Sequence, residues 1–253
     1  MLAIERKNKI LELLRKDGRV VVNQLSTLFG VTEETIRRDL EKLENEGFAR
    51  KSYGGAIITE NANADLPYSV RKESNVEGKE HIAKVVCSMI DDGDRIMLDA
   101  SSTAVYIARQ LKNKKNLTLI TNSIEILLEL SEISGWKILS TGGTLREGSL
   151  SLVGYQAEKM ISTYHVDKSI ISCKGVDMEM GITDSNEMDG HIKNLMLEAA
   201  NQKILAVDQS KLGKISFTKI EDLSNINQIV TDREPNDQWM KIFEAAQIQV
   251  ICK

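Results

Sequence analysis

Val31-Thr32-Glu33-Glu34-Thr35-Ile36-Arg37-Arg38-Asp39-Leu40 decides how the first part of this 253-residue chain is read. Thr32 is placed to cap a helix, its hydroxyl taking a backbone N–H that the first turn leaves unpaired. Ile36, Leu40 and Leu43 then fall at i, i+4 and i+7, one apolar stripe of a helix. Arg38 points almost directly away from that stripe, flanked by Glu34 and Lys42, with Thr35 and Arg37 on the shoulders. One face can bury while the other presents an arginine and a threonine. A surface helix with solvated charges has the same pattern, so the neighbouring residues must decide.

Working outward, residues 3–16 predict a helix with Ile10, Leu13 and Leu14 inward, stopped at Asp17-Gly18. Val20-Val21 is a short extended piece. Residues 22–29 predict a second helix with Leu25, Leu28 and Phe29 inward, and Phe29-Gly30-Val31 turns into the opening stretch. Helix, glycine turn, helix is the helix-turn-helix arrangement. Beyond Glu46-Gly47, Phe48–Lys51 and Ala56–Ile58 flank Ser52-Tyr53-Gly54-Gly55, the pattern of a hairpin and hence of a wing. Arg50 and Lys51 sit where such a wing touches phosphates.

Composition narrows the classes. Apolar residues make up 42% and charged residues 28%, ordinary for a globular chain. Three scattered cysteines argue against a disulfide framework, and His81, His165 and His191 lie far apart, so neither metal nor cofactor is expected. No apolar leader or membrane-length run occurs, which predicts a cytoplasmic protein with no membrane partner. The net charge of −4 is uneven: residues 1–57 carry +2 and the remainder −6. The N-terminal part is the one that tolerates a phosphate backbone.

Residues 58–78 are polar, lack helical periodicity and contain Pro67, and read as a linker between a domain at 1–57 and a second at 79–253. A helix is expected at 79–91. After it, strand candidates alternate with helices: Arg95–Leu98, Leu117–Ile120, Lys137–Leu139, Ser169–Ser172, Ile204–Val207, Gln228–Val230 and Ile248–Ile251, with helices at 103–112, 123–132, 155–161, 187–201 and 236–246. This predicts an α/β domain with a largely parallel sheet. No GxGxxG follows the first strand, so dinucleotide binding is not indicated.

Five of the strand ends are rich in small polar groups: Asp99-Ala100-Ser101-Ser102-Thr103, Thr121-Asn122-Ser123, Thr141-Gly142-Gly143-Thr144, Lys174-Gly175-Val176-Asp177 and Asp208-Gln209-Ser210-Lys211. In open α/β sheets ligands bind at the carboxyl ends of strands. Three hydroxyls at a helix N-terminus suit a phosphate, and equally suit simple capping. Lys211, Lys174 or Arg146 supplies the positive charge a phosphate requires.

Val31–Leu40 is similar to the Val-Ser/Thr-x-x-Thr-Ile/Val-Arg-Arg-Asp-Leu run of the DeoR/GlpR family of bacterial transcriptional regulators. Arg19-Val20, Phe29-Gly30 and Gly54-Gly55-Ala56 also fall in place, while Tyr53 stands where many members carry histidine. Arg71 and Lys79 match positions often basic in that family. Asp99–Thr103 resembles its Asp-x-Gly-Thr-Thr motif, with Ser101 and Ser102 replacing glycine and threonine. Thr121-Asn122, Thr141–Arg146 and Asp208-x-Ser210-Lys211 match as they stand, and Lys193 matches a lysine preceded here by Asp189-Gly190.

The resemblance covers nearly the whole chain. It implies an N-terminal winged helix-turn-helix and a C-terminal α/β sensor domain resembling ribose-5-phosphate isomerase. It further implies a regulator of a sugar-metabolism operon, repressing in the family's usual mode, acting as a homodimer or tetramer. Its partners would be operator DNA and a phosphorylated sugar. The DNA-facing candidates are Thr32, Glu34, Thr35, Arg37, Arg38, Lys42, Arg50, Lys51 and Tyr53. The effector-facing candidates are Lys79, Asp99, Ser101, Ser102, Thr103, Thr121, Asn122, Gly142, Gly143, Arg146, Lys174, Asp177, Lys193, Asp208, Ser210 and Lys211.

Two other classes compete. A sugar-phosphate isomerase would use Asp99, Asp177 or Asp208 as a base beside Lys211, but has no need of a winged helix. A DNA-binding scaffold with a vestigial pocket leaves the polar strand ends unexplained.

Overall fold

The computed structural model describes residues 2–45, 47–58 and 68–253, in two compact units that divide between Glu73 and Ser74. The first unit opens with α1 (Ala3–Asp17), closed by Gly18 in the left-handed conformation, then β1 (Arg19–Val21) and α2 (Val22–Phe29). Next come α3 (Glu33–Asn45) and the hairpin β2 (Ala49–Ser52) and β3 (Gly55–Ile58). The sheet order is β1-β3-β2. A Cβ on Gly55 would lie 1.9 Å from the Val20 carbonyl oxygen, so β1 and β3 approach this closely only because position 55 is glycine.

Ile10, Leu11, Leu14, Leu25, Ile36, Leu40 and Leu43 build the core of this unit. Leu28, expected inward, is exposed; the short α2 turns only Val22 and Leu25 fully inside. Asp39 is buried within the stripe instead, paired with Arg6 of α1 at 2.6 Å.

Part of the segment expected as a linker is helical. Ile58 belongs to β3, residues 59–67 fall outside the described residues, and Tyr68–Glu73 form α4. Val70 of α4 is buried in the core of the first unit. So short a helix leaves too few turns for periodicity to register in the sequence.

The second unit begins with α5 (Val76–Ser88), β4 (Arg95–Leu98), α6 (Ser102–Leu111), β5 (Thr118–Thr121), α7 (Ile124–Glu129) and β6 (Lys137–Ser140). A hairpin of β7 (Thr144–Arg146) and β8 (Ser151–Val153) leads to α8 (Tyr155–Ile161) and β9 (Val166–Ile171). The antiparallel pair β10 (Gly175–Asp177) and β11 (Gly181–Asp184) precedes α9 (Glu187–Glu198) and β12 (Ala200–Ala206). The chain closes with β13 (Thr218–Glu221), β14 (Gln228–Val230), α10 (Asp237–Ala245) and β15 (Gln249–Ile251).

Seven strands form one sheet in the order β15-β14-β12-β9-β4-β5-β6, and every neighbouring pair is parallel. Ile96, Met97 and Leu98 of β4 are fully buried, as expected of a central parallel strand covered on both faces. From β4 the chain steps outward to β5 and β6, then returns to β9 on the other side of β4 and steps outward again. The reversal between β4 and β9 is a topological switch point, where carboxyl ends of strands leave a crevice. A second sheet, β10-β11-β13, is antiparallel and separate.

Candidate functional site

The first candidate surface is α3 with the wing. Thr32 caps α3, its hydroxyl accepting from the Thr35 N–H at 3.3 Å and meeting the Thr35 hydroxyl at 2.9 Å. Burial of Ile36, Asp39, Leu40 and Leu43 turns Glu34, Arg38 and Lys42 outward along one ridge. Arg37 donates to Glu33 at 2.7 Å and Arg38 approaches Glu34 at 3.4 Å, both pairs one turn apart and exposed. Such pairs stabilise a helix by about 0.3–0.5 kcal/mol, little enough to exchange for a phosphate.

On the wing, Arg50 and Lys51 are exposed, and Lys51 lies 3.4–3.5 Å from Glu41 and Glu44. The Lys51 N–H also donates to Glu44 at 2.8 Å, which fastens the wing to α3. Tyr53 stands wholly in solvent at the tip. A helix with an outward basic ridge beside a hairpin carrying cations has the shape and charge to enter a DNA groove.

The second candidate site lies along the carboxyl edge of the seven-stranded sheet. Asp99 follows β4 and is fully buried at the switch point. Its carboxylate accepts from Ser101 Oγ at 2.6 Å and from the Ser172 N–H, beyond β9, at 3.2 Å. Lys193 of α9 reaches in from the side, 3.3 Å from Asp99 and 2.5 Å from Asp184. Burial alone would lower the Lys193 pKa, but the charges of Asp184 and Asp99 outweigh it and hold the ammonium charged. Burial likewise opposes ionisation of Asp184, and Lys193 with Lys174 reverses this, leaving its carboxyl below the ordinary range.

Ser101, where the resembling motif has glycine, serves as the N-cap of α6 by accepting from the Ala104 N–H. Ser102 and Thr103 follow in the first turn, both buried. At the end of β5 the Thr121 hydroxyl accepts from the Ser123 N–H, while Asn122 donates to the Leu152 carbonyl at 3.1 Å. The other amide atom of Asn122, Oδ1, is buried without a partner. At the end of β6, Gly142 and Gly143 take positive φ, and a Cβ on Gly143 would meet the Val153 carbonyl oxygen at 2.6 Å. This sharp turn lays the β7–β8 hairpin beside the strand ends. There Arg146 pairs with Asp189 of α9 at 2.6 Å, and Ser151 donates to the same carboxylate.

Asp208, after β12, accepts from the Ser210 N–H and caps the turn that carries Lys211. Burial raises its pKa, and Lys211, the Ser210 bonds and Lys79 bring it below the ordinary range. Lys79 is buried over the Tyr106 ring and donates to the Ser74 carbonyl. Cys173, after β9, feels Lys193, Asp184, Lys211 and Asp99, which ties the two halves of the cluster together. Its own burial dominates and pushes the thiol up to about 12.

Asp177 does not join this cluster. It ends β10 in the separate antiparallel sheet, and its carboxylate takes the N–H groups of Glu179 and Met180 in the turn to β11. Those bonds keep its pKa low. Conversely, Asp184, Ser172 and Asp189 belong to the arrangement and are not among the candidates that the sequence offers. Asp184 has only the faint sequence signal of a carboxylate two residues ahead of the Asn186 cap of α9.

Residues 6–62 match the DeoR-like helix-turn-helix domain, and residues 74–233 match the DeoR C terminal sensor domain. The chain belongs to the DeoR family of transcriptional regulators. It is 42% identical over 250 residues to the uncharacterized HTH-type transcriptional regulator YulB of Bacillus subtilis, covering 99% of this chain and 96% of that protein. The HTH-type transcriptional repressor GlcR of the same organism is 37% identical, over 98% and 95%. Among solved structures, ribose 5-phosphate isomerase A from Methanocaldococcus jannaschii is similar over 55% of each chain, with 20% identity and a TM-score of 0.41.

As a DeoR-family member the chain is a DNA-binding regulator and not an enzyme. Among the described residues no helix is long and apolar enough to cross a membrane.

Proposed function

We propose that the C-terminal unit senses a phosphorylated sugar, and that its occupancy sets the grip of α3 on an operator. The observation that carries this reading is the start of α6, where the hydroxyls of Ser102 and Thr103 lie in the first turn of the helix, both residues buried. A phosphate there would meet first-turn N–H groups, the positive end of the helix dipole and those hydroxyls. Lys211 would supply the countercharge. Sugar hydroxyls would meet Asp99, Asp208 and the unpartnered Asn122 Oδ1, an acceptor that calls for a donor. Lys193 and Arg146 are committed to carboxylates, so they shape the pocket and leave the phosphate to α6.

On the DNA side, Arg38 and Thr35 reach base edges, Arg37, Arg50 and Lys51 anchor phosphates, and Tyr53 touches the backbone. A homodimer or tetramer places two α3 helices about 34 Å apart on a repeated half-site. The effector shifts affinity only by preferring one state of the protein over another. Repression of a sugar-metabolism operon is the mode this arrangement fits.

A gel shift on the chain's own promoter region, repeated with a panel of sugar phosphates, tests both sites. One phosphate ester should change operator affinity on the order of tenfold or more. The Ser102→Ala/Lys211→Ala double variant should bind DNA as the parent does and lose that response. An unaltered response in the double variant would remove the phosphate from the start of α6.

A further inference from the structure

We infer that Glu34 is a positioning residue for Arg38, and that the adjacent arginines of α3 have different tasks. The inference rests on the reading that α3 enters a major groove. Glu34 Oε1 approaches Arg38 at Nε, 3.4 Å away, along the side of the guanidinium. Among the described residues no other ion pair or hydrogen bond engages the Arg38 side chain. The two terminal nitrogens therefore stay available as a fork. Guanine offers two acceptors, O6 and N7, which such a fork matches. Arg37 is held differently: Glu33 takes one of its terminal nitrogens, Nη2, at 2.7 Å. One of its two terminal nitrogens is thus already engaged, and the remaining N–H groups suit a phosphate oxygen.

Glu34 does this in two ways. An arginine side chain loses much rotamer freedom when it binds a base, and a partner already in place lowers that cost. Glu34 and Arg38 lie one turn apart with the acidic residue first, the favourable order on a helix. The carboxylate also sets a negative charge next to the fork, which disfavours its capture by a phosphate. The reading head thereby gives up general affinity and gains base preference.

The test uses the full chain and a randomised duplex DNA library, with binding motifs selected for the parent, Glu34→Ala, Glu34→Gln, Arg38→Ala and Arg37→Ala. Circular dichroism checks that α3 persists in each. Arg38→Ala and Glu34→Ala should lose preference at the same base pair, by about tenfold or more for Arg38→Ala and several-fold for Glu34→Ala. Glu34→Gln keeps an oxygen for Nε but loses the charge, so it should retain part of that preference, more than Glu34→Ala does, while binding all sequences more tightly. Arg37→Ala should weaken binding and leave the motif unchanged. Glu34→Ala with full preference at the Arg38 base pair would overturn the positioning role, as would loss at a different base pair, where Glu34 itself would be the reader. A motif unmoved by Arg38→Ala would instead sink the reading of α3 on which this inference rests.

Discussion

On α3, Arg37 and Arg38 are held by carboxylates in water, their side chains 58% and 73% exposed. On α9, Lys193 is held by two carboxylates with 9% of its side chain exposed. The same chemistry has opposite consequences. Exposed pairs contribute a few tenths of a kcal/mol and are screened by salt, so a competing phosphate displaces them. Buried pairs contribute little net stability when intact, yet removing one partner strands an uncompensated charge. A surface that must exchange partners uses the first kind, and a pocket that must keep its shape uses the second. Burial decides this, not the unit, because the first unit holds a buried pair of its own, Arg6 with Asp39.

Lys193→Ala leaves Asp99 and Asp184 without the buried cation that pairs with both, and should cost about 3–5 kcal/mol of stability in the second unit. Both tryptophans, Trp136 and Trp239, lie in that unit, so tryptophan fluorescence during urea unfolding reads it selectively. An unchanged midpoint would show that the triad is not the clamp described. Asp39→Ala strands Arg6 and should cost about 3 kcal/mol in the first unit. Circular dichroism should record an earlier loss of helix while the tryptophan transition stays in place. A shift in both signals would mean that the two units unfold as one.

Acid offers a smaller effect. Asp184 and Asp208 are held below the ordinary carboxylate range, and Asp167, gripped by Arg95, is held at about 2 against 3.8. A depressed folded-state pKa contributes stability above the unfolded value and loses it as pH falls through the folded value. The second unit should therefore weaken from about pH 4 down to about 2, read by tryptophan fluorescence. In Lys193→Met the sign should reverse at the triad. One of the two carboxylates then binds a proton above its normal pKa, so mild acid restores stability.

What the sequence made legible follows the same division. Helix α3 and the alternation of the parallel sheet could be read because their apolar spacing repeats over several turns or strands. The five polar strand ends could be read as one edge because parallel strands all point the same way. The short β7, β8, β10, β11 and β13 could not, since they fall outside the strand–helix alternation by which the equally short β4, β14 and β15 are found. Asp177 was grouped with the pocket on spacing alone, and the antiparallel β10 carries it elsewhere. Asp184 was hidden for the converse reason. It lies nine residues ahead of Lys193, and only the packing of α9 beside β11 brings the two to 2.5 Å. Leu28 shows the limit of a helical wheel on eight residues, and Asp39 shows a buried charge that looks solvated until Arg6 is found opposite it.

Glu33→Ala removes the carboxylate that holds Arg37, on a pair whose side chains are 58% and 44% exposed. The lost pair and the lost acidic residue in the first turn of α3 together should lower stability by only about 0.5–1 kcal/mol. Meanwhile Arg37 no longer has to leave a partner, and the reading head gains one unit of positive charge. Binding to every duplex should rise a few-fold, with a steeper salt dependence and an unchanged preference among sequences. Anisotropy titrations on two unrelated duplexes at three salt concentrations measure all of this. If Glu33→Ala instead weakened binding, or altered which duplex is preferred, the pair would be part of the recognition surface itself. Exposure would then no longer tell exchangeable charges from fixed ones in this protein.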